Sequence, residues 1–234
     1  MKRKNSQTVY LLHGWSISDE NQQKWQFFID ELEKRGFSPV FLKIPGLSSP
    51  LTEVWQLTDF VTWLSTELPQ QPVWLAGHSF GGQIAIKFAA LYPDRVEKLI
   101  LIDSSGIRDW AITAMIKRKM FYVVAKIGKF FFKSAKARQF LYLLSKERDY
   151  LNAPPLLRRT MSLVLDEEVT DDLAQVKAAT TIFWGEHDQT TPLKIGQLMQ
   201  KRIKNSQLFL IAGARHSPQF THPAKLADLF LKLT

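Results

Sequence analysis

The stretch Leu75-Ala76-Gly77-His78-Ser79-Phe80-Gly81-Gly82, "LAGHSFGG", sets a serine among small residues directly after the apolar run "PVWL". Beyond it Ile84, Phe88 and Leu91 fall at helical spacing, and the pattern stops before Pro93. Strand, tight turn and helix is the context in which G-x-S-x-G carries physical meaning. The backbone reverses so sharply that the hydroxyl is lifted clear, and the flanking residues must be small for strand and helix to approach. The helix start also turns unpaired amides and the positive end of its dipole toward charge forming on a bound molecule. Glycines placed for backbone reasons around an inert serine would look the same locally. The rest of the chain has to supply the serine's partners.

Working outward, short apolar runs alternate with segments of helical period. The runs are "TVYLL" (8–12), "PVFLKI" (39–44), "PVWLA" (72–76), "KLILID" (98–103), "TTIFW" (180–184) and "QLFLI" (207–211). They are nearly continuous rather than alternating, the pattern of parallel strands buried on both faces. Trp25, Phe28, Ile29 and Leu32 form one face of an intervening helix ended by Gly36, and Leu57, Val61 and Leu64 form another before Pro69. Six strands joined by right-handed crossovers predict an α/β fold with a doubly wound, mostly parallel sheet.

From Gly106 to Val176 the rhythm breaks. Helix-like segments "WAITAMIKRKMFYVVAKIG", "KFFFKSAKARQFLYLLSKE" and "LLRRTMSLVLDE" replace any β-like run. So long a gap inside a regular sheet reads as an inserted helical cap rather than a bare loop. The expected division is a core of 1–105 and 177–234 with a cap of 106–176. The charge is segregated in the same way. The chain carries a net +9, and Gly106 to Leu165 holds thirteen Lys or Arg against three Asp or Glu, which leaves the remainder near −1. A cap helix with solvated lysines accounts for this, and so does a basic surface making weak contact with an anionic membrane or an acidic partner.

A serine hydroxyl becomes nucleophilic when a base takes its proton and a carboxylate orients that base. After the fifth run "FWGEHDQTTP" presents Asp188, and after the sixth "LIAGARHSPQFTHP" presents His216. Parallel strands deliver their C-terminal ends to one edge of the sheet, so Ser79, Asp188 and His216 are expected to converge there. Asp103, ending the fourth run, reaches the same edge and is the rival orienting acid.

On "LLHGW", "GHSFGG", "WGEHDQTTP" and "GARHSPQFTHP" the chain resembles the α/β-hydrolase family over essentially its whole length, with the Ser, Asp, His order of that family. The resemblance implies Ser79 as nucleophile, His216 as base and Asp188 as acid, the last because its loop is the family's usual acid loop. It also implies an oxyanion hole made of the backbone N–H groups of Trp15 and Phe80. Losing one such donor costs roughly 3 to 4 kcal/mol. There are two departures from the family pattern. The leading hairpin of relatives is not apparent before "LLHGW", and Arg215 stands where glycine is common before the catalytic histidine. Arg215 is either a surface substitution or a substrate-binding cation at the pocket mouth. The absence of a carboxylate at position 79 argues against branches with a carboxylate nucleophile.

His13 and His78 read as structural hydrogen-bonding residues. His187 and His222 lack metal-ligand spacing, so no metal and no cofactor is expected. The leading activity is a serine carboxylesterase acting on a small, largely apolar ester. The alternatives are hydrolysis of a carbon–carbon bond in a vinylogous diketone acid, a related elimination on an anionic substrate, or a ligand receptor that retains the triad. No nucleic-acid module is present. With no cysteine and no apolar signal in "MKRKNSQTVYLLHGW", a cytoplasmic location is expected.

Overall fold

The computed structural model describes residues 6–17, 20–107 and 153–233. Each apolar run is a strand: β1 (Gln7–Leu12), β2 (Phe37–Leu42), β3 (Val73–His78), β4 (Val96–Ile102), β5 (Ala179–Gly185) and β6 (Ser206–Ile211). All pair in parallel, in the order β2-β1-β3-β4-β5-β6. Burial on both faces holds at the centre, where every residue of β3 is buried. It fails at the edges, where Val40 of β2 and Leu210 of β6 are exposed. An edge strand has one neighbour and only partial helix cover. Pro39, which has no N–H to give a ladder, is tolerated in such a strand.

The helices are α1 (Asn21–Lys34), α2 (Leu57–Glu67), α3 (Phe80–Leu91), α4 (Pro155–Asp166), α5 (Leu193–Arg202), α6 (Pro218–Thr221) and α7 (Pro223–Phe230). Because strand side chains alternate, β3 feeds two cores. Trp74 and Ala76 join Val9, Leu11 and the α1 stripe of Trp25, Phe28, Ile29 and Leu32, closed by Leu226 and Phe230 of α7. Val73 and Leu75 join the opposite layer with Phe60 and Leu64 of α2, Ile84 and Phe88 of α3, and Met199 of α5. Leu91, expected on the buried stripe of α3, is instead 52% exposed, because it lies in the helix's last turn beyond its packing partners.

Two of the expected cap helices lie wholly in 108–152, outside the described residues, as does most of the basic excess. The third is α4. It packs Leu157 and Val164 into the core shared with α2 and α3. Polar contacts join them: the Trp55 N–H donates to Thr160 Oγ1 (3.0 Å) and the Leu57 N–H to Glu167 Oε1 (2.9 Å). Lys87 pairs with Asp172 at 3.0 Å. Among the described residues no helix is long and apolar enough to cross a membrane.

The chain winds one way from β1 to β2 and the other way from β3 onward. The switch therefore falls between β1 and β3, and there the loops at the strands' C-terminal ends part to leave a crevice. Trp15 follows β1 and Ser79 follows β3, one on each side of that opening.

Candidate active site

Ser79 occupies the turn between β3 and α3 with φ 50° and ψ −116°. Few non-glycine residues adopt positive φ, and the surroundings hold this one there. Its N–H donates to the Ile102 carbonyl (3.1 Å), and its own carbonyl accepts from Gly82 (2.9 Å) and Ser105 (3.0 Å). The flanking glycines are a steric requirement. A Cβ on Gly77 would collide with the backbone of Gly81 and Gly82, and one on Gly81 with the carbonyls of Leu12 and His13. As the first residue of α3, Phe80 has an N–H with no intrahelical acceptor. Trp15 lines the same cavity as Ser79, and its ring lies 5.2 Å from that of Phe80.

The three residues expected to converge do so. His216 Nε2 lies 3.0 Å from Ser79 Oγ, and its Nδ1 lies 2.8 Å from Asp188 Oδ2. A neutral imidazole protonated at Nδ1 satisfies both contacts, donating to the carboxylate and accepting from the hydroxyl. Asp188 is itself held from several sides. Its Oδ1 accepts from the N–H groups of Thr190 (2.7 Å) and Thr191 (3.0 Å), and Thr191 Oγ1 donates to Oδ2 (2.7 Å). Burial pushes this carboxyl up, but the hydrogen bonds from His216 and Thr191 and the charge of His216 outweigh it and hold the group below the ordinary range.

Thr191 was not singled out by sequence reasoning. It is legible in retrospect as the Asp-x-x-Thr spacing of "DQTT", which lets a loop carboxylate cap the amides that follow it. Asp103, the rival acid, makes no hydrogen bond to His216. Its Oδ1 accepts from the Gly185 N–H at 2.7 Å.

His13 and His78 both make structural hydrogen bonds. His13 Nδ1 donates to the Gly14 carbonyl (2.8 Å) while Nε2 meets Ser48 Oγ (2.7 Å). His78 Nε2 donates to the carbonyl of His216 (2.7 Å), which fixes the loop that carries that residue. Burial pushes His13 down to about 4, and burial together with the nearby His216 charge pushes His78 to about 3, so both stay neutral. His187 and His222 lie at the surface, the first 3.8 Å from Glu186 and the second bonded to Thr221. Among the described residues, one set of ligand-type atoms converges within 4.8 Å, from His78, Asp103 and His216. The ring nitrogens of His216 in that set are already committed to Ser79 and Asp188.

A cavity of about 130 Å³ opens beside Ser79, walled by Trp15, Trp25 and Phe220 with Asn21, Lys24 and Ser217 at polar positions. Arg215 is exposed and is not part of this lining.

Residues 9–229 match the alpha/beta hydrolase family. The chain is 27% identical over 254 residues to an AB hydrolase superfamily protein, YisY, of Bacillus subtilis, covering 97% of this chain and 91% of that protein. It is 24% identical over 243 residues to a pimeloyl-[acyl-carrier protein] methyl ester esterase of Yersinia enterocolitica, covering 94% and 90%. A thioesterase domain from the curacin biosynthetic pathway superposes with a TM-score of 0.64 at 20% identity, over 97% of this chain and 91% of that one, a likeness of fold. With all six parallel strands ending at one edge of the sheet and the family match spanning nearly the whole sequence, the chain belongs to the alpha/beta hydrolase family.

Proposed function

We propose that the protein is a serine hydrolase that cleaves small, largely apolar carboxylic esters through an acyl-enzyme intermediate. Ser79 Oγ attacks the ester carbonyl as its proton passes to His216 Nε2, and Asp188 stabilises the imidazolium through Nδ1–H. The oxyanion of the tetrahedral intermediate is held by the backbone N–H groups of Trp15 and Phe80. Collapse expels the alcohol, which takes the proton from His216. Water then attacks the acyl-enzyme with His216 again as base, and the carboxylic acid leaves. These steps require no cofactor.

The observation that carries this reading is the continuous relay from Oγ through the imidazole to Asp188, at 3.0 and 2.8 Å, built on a serine with positive φ. The aromatic walls of the cavity suit an apolar substituent. The relatives named as methyl ester esterases are compatible with ester hydrolysis. A chain without cysteine is compatible with a cytoplasmic location.

The test is steady-state hydrolysis of p-nitrophenyl acetate, butyrate and octanoate by the wild type and Ser79→Ala. Turnover with a chain-length preference, reduced at least about 10³-fold in Ser79→Ala, is expected. Equal feeble rates in both proteins refute the esterase reading. A second reading, hydrolysis of the carbon–carbon bond of a vinylogous diketone acid, draws on Lys24 in the cavity lining, a cation able to meet an acid group. Turnover of a diketone acid together with inactivity on the esters would select it.

A further inference from the structure

Asp103 stands directly behind the relay, and the mechanism above gives it no part. It follows the last residue of β4 with φ 42°, a left-handed conformation that aspartate enters more readily than most residues. It is fully buried. Oδ1 accepts the Gly185 N–H, while Oδ2 is buried with no hydrogen-bond partner and the carboxyl interacts with that of Asp188. The other titratable groups near it are His78 at the end of β3 and His216 after β6, whose ring nitrogens lie within 4.8 Å of a carboxyl oxygen of Asp103. His78 is neutral, and His216 is already paired with Asp188. The remaining polar neighbours are uncharged: the Gly185 amide, and Thr191 Oγ1, which approaches the Asp103 main-chain carbonyl at 3.2 Å.

An ionised Asp103 would therefore set a second negative charge, with one oxygen unsatisfied, beside a carboxylate already stabilised by four hydrogen bonds. Two adjacent carboxyls in a dry site cannot both hold charge, and one keeps a proton. The division is unambiguous here. Asp188 has the amides, the hydroxyl and the imidazole, whereas Asp103 has one amide on the oxygen that serves as the carbonyl of a neutral acid.

We propose that Asp103 is a proton-bearing positioning residue: its neutral carboxyl turns an Oδ2–H toward Asp188 and so confines the negative charge behind His216 to Asp188. The proposal rests on the triad reading above for its catalytic consequence, though not for the proton itself. Burial, and then the charge of Asp188, push the Asp103 carboxyl up to about 8 against the opposing Gly185 hydrogen bond, in agreement with the geometry. Loss of the proton sets the two carboxylates against each other, loosens Asp188 from Nδ1–H, and lowers the rate at alkaline pH.

The test is isotope-edited infrared spectroscopy of ¹³C-aspartate-labelled protein from pH 6 to 10, on the wild type, Asp103→Asn and Asp188→Asn. The expected result is a protonated-carboxyl band in the wild type that titrates away near pH 8 and is missing from Asp103→Asn. In Asp188→Asn, which lacks the neighbouring charge, the midpoint moves to lower pH. In parallel, kcat/KM on p-nitrophenyl butyrate falls above pH 8 in the wild type, and that fall is missing in Asp103→Asn. Absence of the band at pH 6, or a midpoint unmoved by Asp188→Asn, overturns the proposal. The infrared result does not depend on turnover, so a failure of the esterase reading would leave it standing. Because the wild type and Asp188→Asn suffice for the titration, it can be decided even where Asp103→Asn does not fold.

Discussion

Replacing Asp188 by asparagine should invert the histidine while barely changing the shape of the site. Oδ1 of Asp188 accepts from two backbone amides, Thr190 N–H and Thr191 N–H, and only an oxygen can do that. The asparagine carbonyl must therefore take the Oδ1 position, which leaves Nδ2 facing His216 Nδ1 and Thr191 Oγ1. The amide has two hydrogens and meets two acceptors there, so the variant is well satisfied and should fold. The cost falls on the imidazole. With Nδ1 now an acceptor, the neutral ring carries its proton on Nε2, the atom 3.0 Å from Ser79 Oγ, and cannot receive the serine proton. The same inversion in serine proteases lowers kcat about 10⁴-fold, or about 5 kcal/mol of barrier at 1.36 kcal/mol per tenfold. The assay is kcat on p-nitrophenyl butyrate for the wild type and Asp188→Asn, with melting curves as a check on folding. A loss below about tenfold in a folded variant would refute the tautomer argument. Residual activity that disappeared in the Asp103→Asn, Asp188→Asn double variant would then identify Asp103 as the orienting acid.

Gly81→Ala places a methyl group against the carbonyls of Leu12 and His13, backbone atoms that cannot rotate away. It should destabilise by about 1–3 kcal/mol and lower Tm by roughly 2–4 °C for each kcal/mol. An unchanged melting temperature would show that β1 and the elbow do not pack as described. Asp103 also predicts an inverted pH dependence of stability. Its carboxyl is raised in the folded state, so between the ordinary value of 3.8 and about 8 the unfolded chain gives up the proton while the folded chain keeps it. Stability therefore falls as pH rises through that window, by about 1.4 kcal/mol per unit. Asp103→Asn should melt above the wild type by a margin that widens from pH 5 to 8, and a constant margin would count against the buried proton. Asp188, held low, works in the opposite sense and loses its contribution as pH falls through the acid range.

Much of the molecule was legible in the sequence because the deciding physics is local. A buried parallel strand must be apolar throughout, so six runs announced six strands, and "GHSFGG" announced the elbow because only small residues fit where α3 meets β3. The placement of Ser79, Asp188 and His216 after β3, β5 and β6 implied their meeting, since parallel strands share one C-terminal edge. Other features depend on contacts between distant residues. Nothing in "QLFLI" marks β6 as an edge, and the exposure of Leu210 follows from its having no strand beyond it. Leu91 matches its helical stripe but lies where the packing partners end. The choice between Asp188 and Asp103 belongs to the same class. Both carboxyls end strands at the same edge, so strand position does not separate them, and the sequence favours Asp188 only through the resemblance of its loop to the family's acid loop. The tertiary structure separates them because the loop after β5 curls Thr190 and Thr191 around Asp188 and turns it to the imidazole. The tight end of β4 points Asp103 at one amide and a neighbouring carboxylate. Residue types along the chain set which groups reach the edge of the sheet, and the hydrogen bonds that close around each group in three dimensions decide which of them carries the charge.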